Sequence, residues 1–306
     1  MAAGEKTGLR ALAGRSWKVL LSTLSPTLCS RVLFRRIKGA RLDLNDPKTL
    51  DEKLMWLKLR YYRDGETVTQ CADKYRVREY VRQAGCGALL NDLIGVYDRP
   101  EDIPWDSLPD RFALKCNHGC GYNLLCTDAA AFDRAAAARR LKRWLREDYW
   151  RLYAEINYRR IPKKIVCEAY LEGENGQPPA DYKFYCFHGR PDCVLVCVER
   201  AEYPRFYFFD RSWQLLRINP DGQAAPEDFT LPRPAALEAM FDYAARLSAP
   251  FPFVRVDLYA LEERVVFGEL TFTPSMAMDA KRLPETDRAF GDLLTLPEEN
   301  GEPSCC

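Results

Sequence analysis

Two runs near the C-terminus, FVRVDLYAL (253–261) and RVVFGELTF (264–272), constrain the fold more than any other part of the chain. Both read as strands rich in β-branched and aromatic residues, and only a short acidic turn separates them. That pattern predicts an antiparallel hairpin. Arg255 and Asp257 then share one face, while Val254, Val256 and Leu258 take the other. Glu269 and Thr271 likewise share a face. If the strands pair across the turn, Asp257 and Glu269 come side by side with an arginine next to them. Two carboxylates that close repel unless a cation sits between them. Hard oxygen ligands on neighbouring strands suit Mg²⁺, which takes one or two carboxylates and completes its shell elsewhere. A surface ion pair of Arg255 with Glu269 explains the same spacing, and both readings stand.

The remaining pattern is mixed. A helix is expected to start at Asn45 or Asp46 before Pro47 and to run through DEKLMWLKLRYY. A second helix is expected from Ala72 to Gln83, with Lys74 opening it. LLNDLIGVY (89–97) reads as a buried strand and FALKC (112–116) as a short one. DAAAFDRAAAARRLKRWLRED (128–148) reads as a long helix and KKIVCEAYL (163–171) as a strand. DYKFYCFHGRPDCVLVCVER (181–200) is expected to form a hairpin turning at His188-Gly189, with Cys193 and Cys197 facing the core. FYFFD (206–210) is another strand, and PRPAALEAMFDYAARLSA (232–249) a helix. Helices and strands alternate early and antiparallel pairing dominates later, so the class is α/β or α+β.

The chain has 306 residues and a net charge of +1, so no global field points to nucleic acid. The basic residues are unevenly placed, however. Nine Lys or Arg and one acid, Glu5, lie between Met1 and Arg41. Residues 8–38 are basic and amphipathic. They read either as a helix with a solvated basic face packed on the body or as a peripheral membrane contact. No run reaches the ~20 apolar residues of a membrane span. The twelve cysteines are scattered through apolar runs and not set in a disulfide-like frame, which suits a reducing, cytoplasmic compartment.

KCNHGCGYN (115–123) admits two chemistries. Cys116, His118, Cys120 and Cys126 are soft metal ligands by type, yet C-x-H-x-C is poor spacing for structural zinc. Alternatively, Lys115 and the backbone of a glycine turn cradle phosphates. Lys74 is a further basic candidate, with a solvated helical lysine as the plainer reading. Glu168 ends an apolar strand whose backbone can meet an adenine edge. Asp181 and Lys183 share one strand face, which a surface pair also explains.

The order of DKYRVREYV, LKCNHGCG, IVCEAYL, DYKFYCFHG, VRVDLY and GELTFTP resembles the ATP-grasp superfamily. Within it the likeness is nearest the TupA-like branch, associated with cell-surface polysaccharide synthesis, and LNDPKTLDEKLMWLKL is similar to that branch too. It covers roughly residues 40 to 297. The resemblance implies an α+β fold of two subdomains gripping ATP. The expected boundaries are an N-terminal extension (1–45), an α/β portion (46–110), a small lid subdomain (111–200), a large subdomain with the metal site (201–297) and a disordered tail (298–306). It also implies roles. Lys74 and Lys115 match the lysines on the ATP phosphates, Asn117 to Gly121 (with Gly119) the glycine-rich lid, and Glu168, Ala169, Tyr170 and Leu171 the adenine hinge. Asp181, Lys183 and Arg200 resemble the ribose-side acidic and basic pattern. Arg255 matches the arginine at the transferred phosphoryl group, and Asp257 and Glu269 match the Mg²⁺ carboxylates. Thr271 stands where many relatives have Asn and would be a weaker, neutral metal ligand there, and Ser275 to Met278 replace a glycine-containing turn.

The reaction so implied is ATP-dependent ligation of a carboxylate to an amine, on a small-molecule or polysaccharide-precursor substrate. The place is the cytoplasm, with the inner membrane face as a candidate site through residues 8–38. A sugar or polyol kinase on the same fold and a zinc-stabilised binding module are the alternatives.

Overall fold

The computed structural model describes residues 15–173, 179–198, 204–261 and 264–298. Arg200, the 262–263 turn, residues 8–14 of the basic segment and nearly all of the expected tail lie outside them.

Among the described residues the chain builds two antiparallel sheets. Strands β1 (Leu93–Tyr97), β2 (Phe112–Cys116), β3 (Asn123–Cys126) and β4 (Ile165–Ala169) form a four-stranded sheet in the order β1-β4-β2-β3. The larger sheet contains β5 (Asp181–Phe187), β6 (Arg190–Val198), β7 (Arg205–Phe209), β8 (Leu215–Leu216), β9 (Phe253–Leu261) and β10 (Arg264–Thr271). Its order is β10-β9-β5-β6-β7-β8. The chain therefore changes sheet between Ala169 and Asp181, inside the 111–200 segment expected to form one small subdomain. β5 and β6 belong to the large sheet because β5 pairs with β9, β6 pairs with β5, and both pack under the helix Leu237–Ser248, where Phe184 meets Phe241 edge-on at 5.0 Å.

Each sheet has its own core. Beneath the small sheet, Phe112, Leu114, Cys116, Leu124, Ile165 and Cys167 meet Leu141 and Trp144 of the helix Arg134–Arg146. Period-two alternation sends Ala113, Lys115, Asn123, Leu125 and Glu168 to the opposite face. The large sheet and the N-terminal helices share a second core. No helix among the described residues is long and apolar enough to cross a membrane.

Local bonding moved several expected boundaries. The helix Leu50–Trp56 is started by Thr49 and Glu52, a reciprocal capping box, and not at Pro47. Asp43 accepts from the N–H groups of Asn45 and Asp46 and holds that stretch in a turn. Of the expected 72–83 helix only Val77–Gln83 forms, and Ala72 instead ends a separate helix, Glu66–Ala72. Asp73 breaks the run, because its carboxylate accepts from the N–H groups of Tyr75 and Arg76 and so competes with the helix. Lys74 lies in that break. β1 is a half-buried edge strand shorter than the expected 89–97 run. Cys193 is fully buried, but Cys197, near the end of β6, is only partly so.

The predicted C-terminal hairpin forms, with one irregularity. From Arg264 to Phe267 the register is regular, and Phe267 faces Leu258. Continued unchanged, it would set Glu269 against Val256, whose side chain is in the core. A bulge at Gly268 shifts the pairing by one residue, so Glu269 faces Asp257 and Thr271 faces Arg255. A Cβ at Gly268 would stand 2.8 Å from the Asp257 carbonyl oxygen, so the bulge requires glycine.

Candidate active site

The two sheets face one another across a cleft of about 430 Å³. Of the residues expected at the site, Lys74, Lys115, Gly121, Glu168, Ala169, Tyr170, Leu171, Asp181, Lys183, Asp257 and Glu269 line it. They come from six separate stretches of sequence.

On the large-sheet wall the register of β5, β9 and β10 sets the charges. Lys183 pairs with Asp257 across β5 and β9, and Asp181 with Tyr259. Lys183 Nζ donates to Asp257 Oδ2 at 2.9 Å and also contacts the Asp181 carboxylate. Arg255 grips Asp257 with two bonds, Nε to Oδ1 and Nη2 to Oδ2, both 2.7 Å. Arg255 Nη2 also donates to the Thr271 hydroxyl at 3.1 Å, which in turn donates to Glu269 Oε1 at 3.1 Å. Burial pushes the Asp257 carboxyl up while Arg255 and Lys183 pull the other way. Desolvation also raises Glu269, but Lys74, Arg255 and Lys183 outweigh it and hold its carboxyl below the ordinary value. The surface ion pair of Arg255 with Glu269 is thus only the looser part of this network, at 3.6 Å.

The small-sheet wall is sparser. Lys115 Nζ donates to Glu168 Oε2 at 2.7 Å, and Arg78 Nη1 donates to Glu168 Oε1 at 3.2 Å. Arg78, buried in the helix Val77–Gln83, also donates to the Asn91 carbonyl at 2.8 Å. The Ala169 backbone is already occupied: its N–H donates to Asp92 O at 2.9 Å and its carbonyl accepts from Asn91 Nδ2 at 2.8 Å. Tyr170 and Leu171 follow it along the cleft wall.

The glycine turn divides into pins and tips. Asn117, expected to face a nucleotide, is fully buried and absent from the cleft lining. Its Oδ1 accepts from Lys164 N at 2.7 Å, and its Nδ2 donates to Asp73 Oδ1 and Pro162 O, both at 2.8 Å. Those three bonds use up the amide and tie the turn to the break that carries Lys74. Gly119 packs on Tyr149, whose ring a Cβ would meet at 2.7 Å, and its carbonyl accepts from Lys74 Nζ at 2.7 Å. Lys74 Nζ also stands 3.9 Å from Glu269 Oε2, reaching between the walls. Gly121, at φ +76°, and the exposed Cys120 form the tip.

The soft-metal reading of this stretch is not supported. Cys116 and Cys126 are buried in the small-sheet core, and burial pushes the Cys116 thiol up to about 12. His118 Nε2 donates to the Trp144 carbonyl at 3.1 Å, and burial lowers its pKa to about 4. Among the described residues no three His, Cys, Asp or Glu side chains gather as a metal-holding group. Mg²⁺ asks for less, one or two carboxylates, and the cross-strand pair Asp257 and Glu269 fits that donor set. Thr271 is engaged by Arg255 and Glu269 and orients that pair.

Sequence reasoning missed the apolar lining: Val77, Leu90, Leu125 and Phe267 stand with Ala113 along the cleft. Arg78 was missed too. Single apolar residues in a helix or strand carry no mark of the face they will share with another element, and Arg78 reads as a solvated helical arginine.

A D-alanine–D-alanine ligase from Bacillus anthracis is similar to the chain at 19% identity and a TM-score of 0.45, covering 74% of this chain and 64% of its own. An L-amino acid ligase from Bacillus licheniformis shows 12% identity and a TM-score of 0.42, over 72% and 45%. An N5-carboxyaminoimidazole synthase from Aspergillus clavatus, in complex with ADP, shows 12% and 0.42, over 76% and 54%. The chain thus spans 64% or less of the length of these three proteins. No curated protein matches it. The family model described as TupA-like ATPgrasp matches residues 52–295, from the capped helix that follows Thr49 to the segment past β10. The chain is a member of the TupA-like ATP-grasp family.

Proposed function

We propose that the chain is an ATP- and Mg²⁺-dependent ligase that joins a carboxylate to an amine. The observation that carries this reading is the cleft itself. It sets Lys74 and Lys115 opposite Asp257 and Glu269, with an apolar slot between the same walls. A nucleotide triphosphate needs such an arrangement: cations for its phosphates, an apolar slot for its base and a metal-holding acidic pair.

In this reading the base lies among Val77, Leu90, Ala113 and Phe267, with its polar edge toward the backbone of Tyr170 and Leu171, because Ala169 is occupied. Asp181 takes the ribose hydroxyls, and Lys74, Lys115 and the Gly119–Gly121 turn take the phosphates. Bound Mg²⁺, held by Asp257 and Glu269, would neutralise phosphate charge. A carboxylate oxygen of the acceptor attacks the γ-phosphorus, the bond to the ADP oxygen breaks, and an acylphosphate forms. An amine then attacks the acyl carbon. Phosphate leaves with the electrons of the C–O bond, and the amine proton passes to solvent. The protein positions the reactants and offsets charge, so no cysteine nucleophile is required. The acceptor carboxylate is that of a uronic acid or amino acid from a cell-surface polysaccharide precursor, a choice supported by the family resemblance and by its association with such polymers.

The test is ADP release against panels of uronic acids and amino acids, with Asp257→Asn and Glu269→Gln as controls. ADP formed only when carboxylate and amine are both present is the expected result. Undiminished turnover in both variants would refute the metal assignment. A phosphorylated sugar formed without any amine would make the protein a kinase.

A further inference from the structure

The N-terminal helices carry a face that the described residues leave exposed. Residues 15–24 are helical, and a second helix runs Pro26–Lys38. Ser25 separates them in extended backbone, and its side chain accepts from Leu28 N to cap the second. Ser22 Oγ meets Cys29 Sγ at 3.1 Å between the two helices. The pair is docked on the body: Leu33 and Phe34 are buried in the core, Lys18 lies over the Tyr153 ring at 4.8 Å, and Arg15 reaches Glu147 at 2.5 Å. Its orientation is therefore fixed by contacts along its length.

The opposite face is apolar and basic. Leu20, Leu24 and Leu28 are 62%, 74% and 49% exposed. Leu20 and Leu24 lie one turn apart, and Leu24 and Leu28 flank the Ser25–Pro26 corner. Arg31 and Arg35 follow Leu28 at helical spacing, so they share its side, and both are exposed. No Asp or Glu occurs between Lys6 and Leu42. Exposed leucines continued by two arginines, with no acid in that stretch of sequence, match the outer boundary of an anionic bilayer, where acyl chains lie beneath phosphates. A second copy of the chain suits the face poorly, since a two-fold contact would set the arginines of one protomer against those of the other.

We propose that this face is a docking surface for an anionic lipid membrane. The leucines at the corner enter the headgroup boundary, and Arg31 and Arg35 rest against lipid phosphates. The surface does not depend on the chemistry of the cleft, so its failure would leave the ligase reading intact.

The test is co-sedimentation of the full chain with phosphatidylcholine vesicles, with and without phosphatidylglycerol, at low and high salt. Binding is expected only to the anionic vesicles, weakened by salt. The pairs Leu24→Asp with Leu28→Asp and Arg31→Glu with Arg35→Glu should each lower the bound fraction by about tenfold or more. Leu24→Ser with Leu28→Ser serves if the aspartates impair folding, judged by thermal melting. Equal binding to neutral vesicles, no binding, or binding unchanged in all folded variants would overturn the proposal. So would a dimer that the leucine variants convert to monomer without vesicle binding, or duplex DNA captured in preference to vesicles.

Discussion

Lys115 and Asp257 lie on opposite walls of one cleft and are held in different ways. The Lys115 side chain is 28% exposed and, among the described residues, has one anionic partner, Glu168. The Asp257 side chain is 3% exposed and is gripped by Arg255 and Lys183 from its own strand and the next. On the small-sheet wall a charged tip can change partner when a ligand arrives, because Arg78 remains to satisfy Glu168. On the large-sheet wall Asp257 is enclosed with Arg255 and Lys183, and removing its carboxylate leaves both cations without that partner. Cations on a yielding wall and carboxylates on a stiff one suit a site that must admit a polyanion and then hold it in one geometry.

The sharpest way to break this comparison is Asp257→Asn. Turnover should fall at least ~100-fold. Loss of the carboxylate also leaves Arg255 and Lys183 enclosed without it, a destabilisation of about 3 kcal/mol. Thermal melting and ADP release read the two effects, and a variant as stable as the parent would show that the wall is not stiff. Gly268→Ala comes next. It presses a methyl group on the Asp257 carbonyl and should cost about 1–3 kcal/mol, with a roughly tenfold or greater loss of turnover as the register across from Asp257 is disturbed. Unaltered kinetics would mean that the bulge does not position Glu269.

Lys115→Met tests the yielding wall. The KM for ATP should rise about tenfold, while stability changes by less than about 1 kcal/mol, since the lysine is partly exposed and its pair is worth little. A large loss of stability would erase the contrast between the walls. The smallest effect expected is that of pH through His118. Its folded pKa, about 4, lies below the ordinary 6.5. The unfolded chain therefore binds the proton more readily, and stability is complete above the unfolded pKa and lost as pH falls through 6.5 toward 4. The loss should reach about 1.4 kcal/mol near pH 5.5. Melting of His118→Asn across that range should show less acid sensitivity. Equal sensitivity would mean that another group titrates.

Part of this site was legible in the order of residues because strand alternation is local. Arg255 with Asp257, and Asp181 with Lys183, share faces for the same reason: side chains two apart on a strand point the same way. Asn117 shows the limit. In sequence it belongs to a glycine turn beside Lys115, and only the packing of 162–164 and Asp73 around it makes it a buried pin. Lys74 shows another. A competing carboxylate one residue away moved it from a helix into a turn that reaches Glu269.

The sequence by itself determined the C-terminal hairpin, the two-sided character of its strands, the basic N-terminal segment and the family. Each is written in local periodicity, local charge or motif order. Only the tertiary structure decided that Glu269 faces Asp257 and not Val256, that β5 and β6 join the large sheet, that Ala169 is occupied while the cleft wall continues through Tyr170 and Leu171, and that Leu20, Leu24 and Leu28 face outward. These depend on a one-residue bulge and on which surfaces meet, and both are settled by long-range packing, which leaves no spacing in the chain to read.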